Sequence, residues 1–255
     1  MISIPETPSF RLDGKRALVT GAGRGIGMAG AIALAAAGAS VHLAARSFDE
    51  VAAVSAAIAA AGHSAHAYTL DVLDKSNTAE FIASNGPFDI VLNNAGTNRP
   101  APLVELSDSD IAAVFELNVL AAFTVAREVA RGLIKAKKSG SIINVSSQMG
   151  HVGAPGRTVY CATKHALEGM TKALAWELGA HGIRVNTLCP TFIETPMTAD
   201  MLADPVFRES VINRIALGRI GTIEELMGPI VFLASDASRL MTGSALMVDG
   251  GWTAR

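Results

Sequence analysis

The chain has 255 residues, half of them hydrophobic and 5% aromatic, with 21 Lys and Arg against 23 Asp and Glu for a formal charge of −2. That composition supports one sizeable core and argues against a disordered chain. No cluster of basic residues would track a phosphate backbone, so nucleic acid is not an expected partner.

Residues 1–10 carry Glu6 and two prolines but no basic stretch followed by an apolar run, so they do not read as a signal peptide. Strands are expected at 17–20, 40–45, 66–70, 90–93, 141–145, 184–188 and 245–248. They are short runs rich in Val, Ile and Leu without polar alternation, as in strands buried on both faces. Helices are expected between them at 27–37, 49–61, 75–84, 108–137, 158–180 and 223–234, the fourth opened by a cap at Ser107 with Asp110 in its first turn. Residues 25–45 are uncharged and of membrane-spanning length. They contain His42 and are broken at Gly38-Ala39-Ser40, and so read as a buried helix, a turn and a buried strand. With no repeat or linker, the expectation is a single α/β domain over 1–255. It is a Rossmann-type doubly wound parallel sheet of about seven strands with helices on both faces. A cytoplasmic protein without a membrane partner is expected. Cys161 and Cys189 lack metal-ligand spacing and read as small core residues; no metal is expected.

In such sheets ligands sit beyond the carboxyl ends of the strands, and the informative motifs do follow strands. After the first comes Thr20-Gly21-Ala22-Gly23-Arg24-Gly25-Ile26-Gly27, running into a helix. Glycines allow a tight turn and close approach to a pyrophosphate, and the helix N-terminus offers free N–H groups. The regular G-x-G-x-x-G pattern is matched by Gly25-Ile26-Gly27-Met28-Ala29-Gly30, but it begins too late, with its last glycine already inside the helix. The second strand ends in Ala45-Arg46-Ser47, without the acidic residue that would bond the ribose hydroxyls of NAD. Arg24 and Arg46 are two guanidinium groups suited to a 2′-phosphate, which favours NADP over NAD. Asp71-Val72 and Asn93-Asn94-Ala95-Gly96 follow the third and fourth strands.

Tyr160 and Lys164 are four residues apart in a helical pattern and share a face. Tyrosine, with a pKa near ~10, is a poor base at neutral pH, and a neighbouring ammonium favours its phenolate. Ser147 follows a strand 13 positions earlier, and Asn118 lies in the long helix before that strand. The pattern T-G-x-x-x-G-x-G at Thr20–Gly27, N-N-A-G, and Asn118, Ser147, Tyr160 and Lys164 in this order and spacing resemble the short-chain dehydrogenase/reductase family over nearly the whole chain.

The resemblance implies an oxidoreductase moving hydride between NADP(H), or less readily NAD(H), and a carbonyl or secondary alcohol. Tyr160 would be the proton donor or acceptor and Ser147 the oxyanion partner. Lys164 would hold the nicotinamide ribose and lower the tyrosine pKa, and Asn118 would hold a relay water. It further implies cofactor contacts from Gly21, Arg24, Gly25, Ile26, Gly27, Arg46, Ser47, Asp71, Val72, Asn94, Ala95, Gly96, Pro190, Ile193 and Thr195. Thr191 stands where the family has a glycine, which restricts the backbone there. Residues 194–221 correspond to a substrate lid. Arg99, Gln148, His151 and Arg157 are expected at the pocket mouth and favour a polar substrate such as a polyol, sugar or sugar acid. An NAD-linked alcohol dehydrogenase or 3-oxoacyl reductase is the alternative within the family. An epimerase or a non-catalytic dinucleotide-sensing protein is the alternative outside it. A homotetramer joined through the helices at 108–137 and 158–180 is implied as well.

Overall fold

A computed structural model describes residues 3–254; Met1, Ile2 and Arg255 of the one-domain reading lie outside the described residues. The apolar runs form β1 (Arg16–Thr20), β2 (Ser40–Ala45), β3 (Ala65–Thr69), β4 (Ile90–Asn93), β5 (Gly140–Val145), β6 (Ile183–Pro190) and β7 (Ala245–Val248). They make one all-parallel sheet in the order β3-β2-β1-β4-β5-β6-β7. The inner strands are buried on both faces, which is why they lack alternation; the edge strands β3 and β7 are only partly covered.

Helices α1 (Gly25–Ala36), α2 (Phe48–Ala60) and α9 (Glu224–Ala234) lie against one face, where Leu34, Val51 and Ile230 pack on Val19, Leu43 and Leu92. Helices α3 (Lys75–Asn85), α5 (Ala121–Ala136) and α6 (Thr158–Gly179) cover the other, with Ile82, Val125, Leu133 and Leu178 packed on Leu18, Val91 and Ile142. Residues 25–45 are α1 and β2, the buried helix and strand expected of them.

Some boundaries move. The helix expected at 108–137 is α4 (Asp108–Phe115) joined to α5 through one π turn at Glu116–Leu120, and it ends at Lys137 in the left-handed region (φ 53°). Ser107 caps α4 as expected, accepting from the Asp110 N–H. The sixth strand runs two residues past Leu188 and so takes Cys189 and Pro190 into the sheet. The expected lid carries two helices, α7 (Ala199–Leu202) and α8 (Pro205–Ile212), the latter capped by Asp204. The strand order reverses between β1 and β4, and the crevice beyond their carboxyl ends is where a doubly wound sheet binds its ligand.

Candidate active site

The loop after β1 is shaped by its glycines. Gly21 and Gly25 have φ of +64° and +56°, and a Cβ on Gly27 would sit 2.2 Å from the Gly21 carbonyl oxygen and 2.5 Å from Asn94 Nδ2. The turn therefore exists only without side chains at these points. Asn94 Nδ2 donates to the carbonyls of Thr20 and Gly21, while the N–H groups of Asn94 and Ala95 donate to Thr20 Oγ1. The N-N-A-G turn thus fastens the loop to the end of β4. Helix α1 begins at Gly25 without a side-chain cap and without an acidic residue in its first turn. A backbone cradle at an uncapped helix N-terminus fits a pyrophosphate. The pattern at Gly25–Gly30 lies entirely within α1, as expected of a coincidental match.

Arg46 and Ser47 are exposed at the end of β2, where Ser47 precedes α2. Arg24 is exposed too, but its Nη1 lies 3.4 Å from Glu50 Oε1, and Glu50 itself folds over Gly23. This acidic neighbour, 26 residues away in the chain, was not legible from the motif. Asp71 Oδ1 accepts from the Leu73 N–H and shapes the turn after β3; Val72 is buried. Pro190 ends β6, Ile193 pairs with Gly221 in an isolated bridge, and Thr195 reaches to 3.5 Å from where a Cβ of Gly25 would be. Thr191 is not among the positive-φ residues, so the missing family glycine leaves no strain.

Ser147, Tyr160 and Lys164 come together at the ends of β5 and α6. Ser147 Oγ donates to Gln148 Oε1 at 2.7 Å and accepts from the Met149 N–H. Burial pushes the Tyr160 phenol up to about 12, with Ser147 and the Arg157 guanidinium pulling the other way. Lys164 lies one helical turn beyond Tyr160 on α6. Its Nζ donates to the Val145 carbonyl at 2.8 Å and stands 5.4 Å from the centre of the Tyr160 ring, and burial brings the ammonium down to about 8. Asn118 sits in the π turn, 1% exposed. Its Oδ1 accepts from the Thr97 N–H, and its Nδ2 donates to the Thr97 carbonyl and to Thr163 Oγ1. The side chain therefore braces α6 against the segment after β4.

Beside Ser147 and Tyr160 opens a cleft between α6, the end of β6 and α7. Of the four polar residues expected at its mouth, Gln148 and Arg157 line it. Arg99 is instead exposed and 3.7 Å from Asp110, and His151 turns toward Glu168 and Cys189. Three buried polar atoms in the cleft wall have no partner among the described residues: Asn98 Oδ1, Arg157 Nη1 and Thr191 Oγ1. Asn98 follows the N-N-A-G turn, and only its position after a strand end hinted at a role.

A parallel sheet with a phosphate cradle at its switch point and a tyrosine–lysine pair beside it defines a nicotinamide-dependent oxidoreductase. This chain belongs to the short-chain dehydrogenase/reductase family: the family model described as enoyl-(acyl carrier protein) reductase matches residues 21–253. It is 41% identical to the gluconate 5-dehydrogenase of Gluconobacter oxydans over 96% of each chain. It is 39% identical to the L-xylulose reductase of Bos taurus over 96% of this chain and 99% of that one. Among solved structures, a gluconate 5-dehydrogenase from Burkholderia cenocepacia in complex with NADP and tartrate superposes with a TM-score of 0.92 at 37% identity, covering 96% of this chain and 98% of that one.

Proposed function

We propose that this protein uses NADP(H) to interconvert a secondary alcohol and a ketone on a polyhydroxylated substrate that carries a carboxylate, a sugar acid. The observation that carries this reading is the set of unpartnered polar atoms in the cleft. A buried donor or acceptor without a partner costs about 1–3 kcal/mol, and a charged one more, so such atoms persist where a ligand satisfies them. Arg157 is 8% exposed, and among the described residues the only hydrogen bond of its guanidinium runs from Nη2 to the sulfur of Met201, a weak acceptor. A carboxylate would give it the partner it lacks, and hydroxyls would serve Asn98 and Thr191.

NADP fits the glycine cradle and the two arginines, and its chemistry is to give or take the hydride. The protein supplies the remainder. A phenol raised to about 12 is protonated at neutral pH and suited to protonating a ketone oxygen. Ser147 stabilises the negative charge that develops on that oxygen. In the alcohol-oxidising direction Tyr160 must lose its proton, which Ser147 and Arg157 favour and burial opposes.

A panel of neutral polyols, ketoses and aldonic acids with NADP(H) tests the reading. Wild type should turn over the acids best, and Arg157→Met should lose about 10–100-fold in kcat/KM for acids and less than about threefold for neutral substrates. Equal losses on both classes would overturn the carboxylate assignment. For the protein as a whole we propose a cytoplasmic homotetramer. Phe115, Leu120, Phe123 and Ile134 are exposed on α4, the π turn and α5, and Trp176 on α6 is 87% exposed. A second apolar face includes Phe10, Met227, Phe232 and Leu246. Two such faces suit a closed tetramer.

A further inference from the structure

Behind the catalytic groups, three side chains from three elements converge, and the mechanism above uses none of them. His151 follows the short turn after Ser147, Glu168 lies one helical turn beyond Lys164, and Cys189 is the penultimate residue of β6. His151 Nε2 is 3.6 Å from Cys189 Sγ and 3.5 Å from Glu168 Oε1, and Sγ is 3.4 Å from Oε1. Cys189 and Glu168 are buried, and His151 closes the outer side with its side chain 31% exposed.

These separations have a chemical meaning. A tetrahedral zinc ion, bound at ~2.3 Å to thiolate, ~2.0–2.1 Å to imidazole and ~2.0–2.2 Å to carboxylate, holds its donors about 3.3–3.7 Å apart. The triangle of Sγ, Nε2 and Oε1 has the size of one face of such a tetrahedron.

Two further features belong with it. Ser146 Oγ is buried without a partner among the described residues. Ser146 Oγ and Glu168 Oε1 both face Gly150, where a Cβ would come within 2.9 Å and 3.2 Å of them. The serine thus offers an oxygen to the same place, directly or through water. The other carboxylate oxygen of Glu168 accepts from Thr187 Oγ1 at 2.9 Å, the outer hydrogen bond that orients a ligating carboxylate.

Charge agrees as well. A thiolate and a carboxylate together carry two negative charges, which one divalent ion neutralises, as an interior site requires. Thiolate and imidazole donors select zinc and its neighbours over magnesium or calcium.

We propose that His151, Glu168 and Cys189 form a site for one divalent transition-metal ion, zinc by donor set, which fastens the turn after Ser147 to α6 and β6. The full-length protein, stripped with a chelator, is titrated with Co²⁺ and then challenged with Zn²⁺. One equivalent of Co²⁺ should bind, with intense visible absorption of a tetrahedral centre and a thiolate-to-cobalt charge-transfer band, both bleached by Zn²⁺. Cys189→Ser should abolish the charge-transfer band. His151→Gln, on the exposed side of the site, should weaken Co²⁺ binding at least about tenfold while its melting temperature without metal and its NADPH binding stay those of wild type. Zinc should raise the melting temperature of wild type and not of His151→Gln. Failure of wild type to take up one equivalent, uptake without the thiolate band, or unchanged affinity in His151→Gln would each overturn the assignment.

Discussion

At the β1 end of the cleft, Thr20 and Asn94 hold the phosphate loop through four hydrogen bonds, and a side chain at Gly27 would collide with the Gly21 carbonyl. At the Tyr160 end, Asn98, Arg157 and Thr191 each keep a buried polar atom unpartnered among the described residues. The cofactor half is built from backbone, its loop fastened by the protein's own hydrogen bonds and the N–H groups of α1 left for the pyrophosphate. The substrate half leaves its polar groups for the ligand to complete. Such a division lets one scaffold keep a nucleotide while changing what it oxidises or reduces.

The sharpest way to break this comparison is at the chemistry between the halves. Tyr160→Phe should lower kcat for reduction by about 10³-fold or more while NADPH affinity stays within about threefold of wild type. Nicotinamide fluorescence and initial rates measure the two quantities, and a matching fall in both would mean that Tyr160 also holds the cofactor half together. In wild type the oxidation rate should climb with pH through the alkaline range. The raised Tyr160 pKa leaves little phenolate at neutrality, and reduction needs the protonated form that dominates there.

Gly27→Ala should reach less far but damage only the cofactor half. Its Cβ would meet the Gly21 carbonyl at 2.2 Å, so NADPH affinity should fall about 100-fold and the melting temperature should drop by several degrees. A variant that binds NADPH normally would show the loop to be more pliable than its hydrogen bonds suggest.

The smallest effects concern the rim, where Arg24, Arg46 and Glu50 meet. Arg46→Ala should weaken NADPH about tenfold and NADH hardly at all. Glu50→Gln should act oppositely, tightening NADPH about two- to fivefold by removing a carboxylate that holds Arg24 and repels a phosphate. Equal responses to NADPH and NADH in paired titrations would show that neither arginine contacts the 2′-phosphate.

How far the sequence revealed this arrangement follows the same division. The seven strands and the glycine loop were legible because a buried parallel strand is a run of Val, Ile and Leu, and a phosphate turn demands glycine. Tyr160 and Lys164 were legible because helical spacing places them on one face. The contacts that sequence spacing cannot encode were missed. Glu50 lies 26 residues from Arg24, and His151, Glu168 and Cys189 come from a turn, a helix and a strand. Cys189 was read as a small core residue for want of metal-ligand spacing, and it is fully buried in β6. The lid helices are short and were marked only by Asp204-Pro205 at the start of α8. His151 and Arg99 carry the right chemistry for a pocket mouth, but each found a nearer partner. Nothing in Glu116-Leu117-Asn118-Val119-Leu120 distinguishes a π turn from an ordinary one.

That π turn makes the length of the long helix a fixed quantity. It holds one residue more than an α turn, so α4 and α5 share a rod but are out of phase by about 100°. Removing any single residue from this stretch would restore a regular helix and rotate one half against the other. Either Asn118 would leave Thr97 and Thr163, or Val125, Val129 and Leu133 would turn away from the sheet. The extra residue works as a keyed joint: the rod can be assembled in one rotational setting, and that setting brings Asn118 to the catalytic helix.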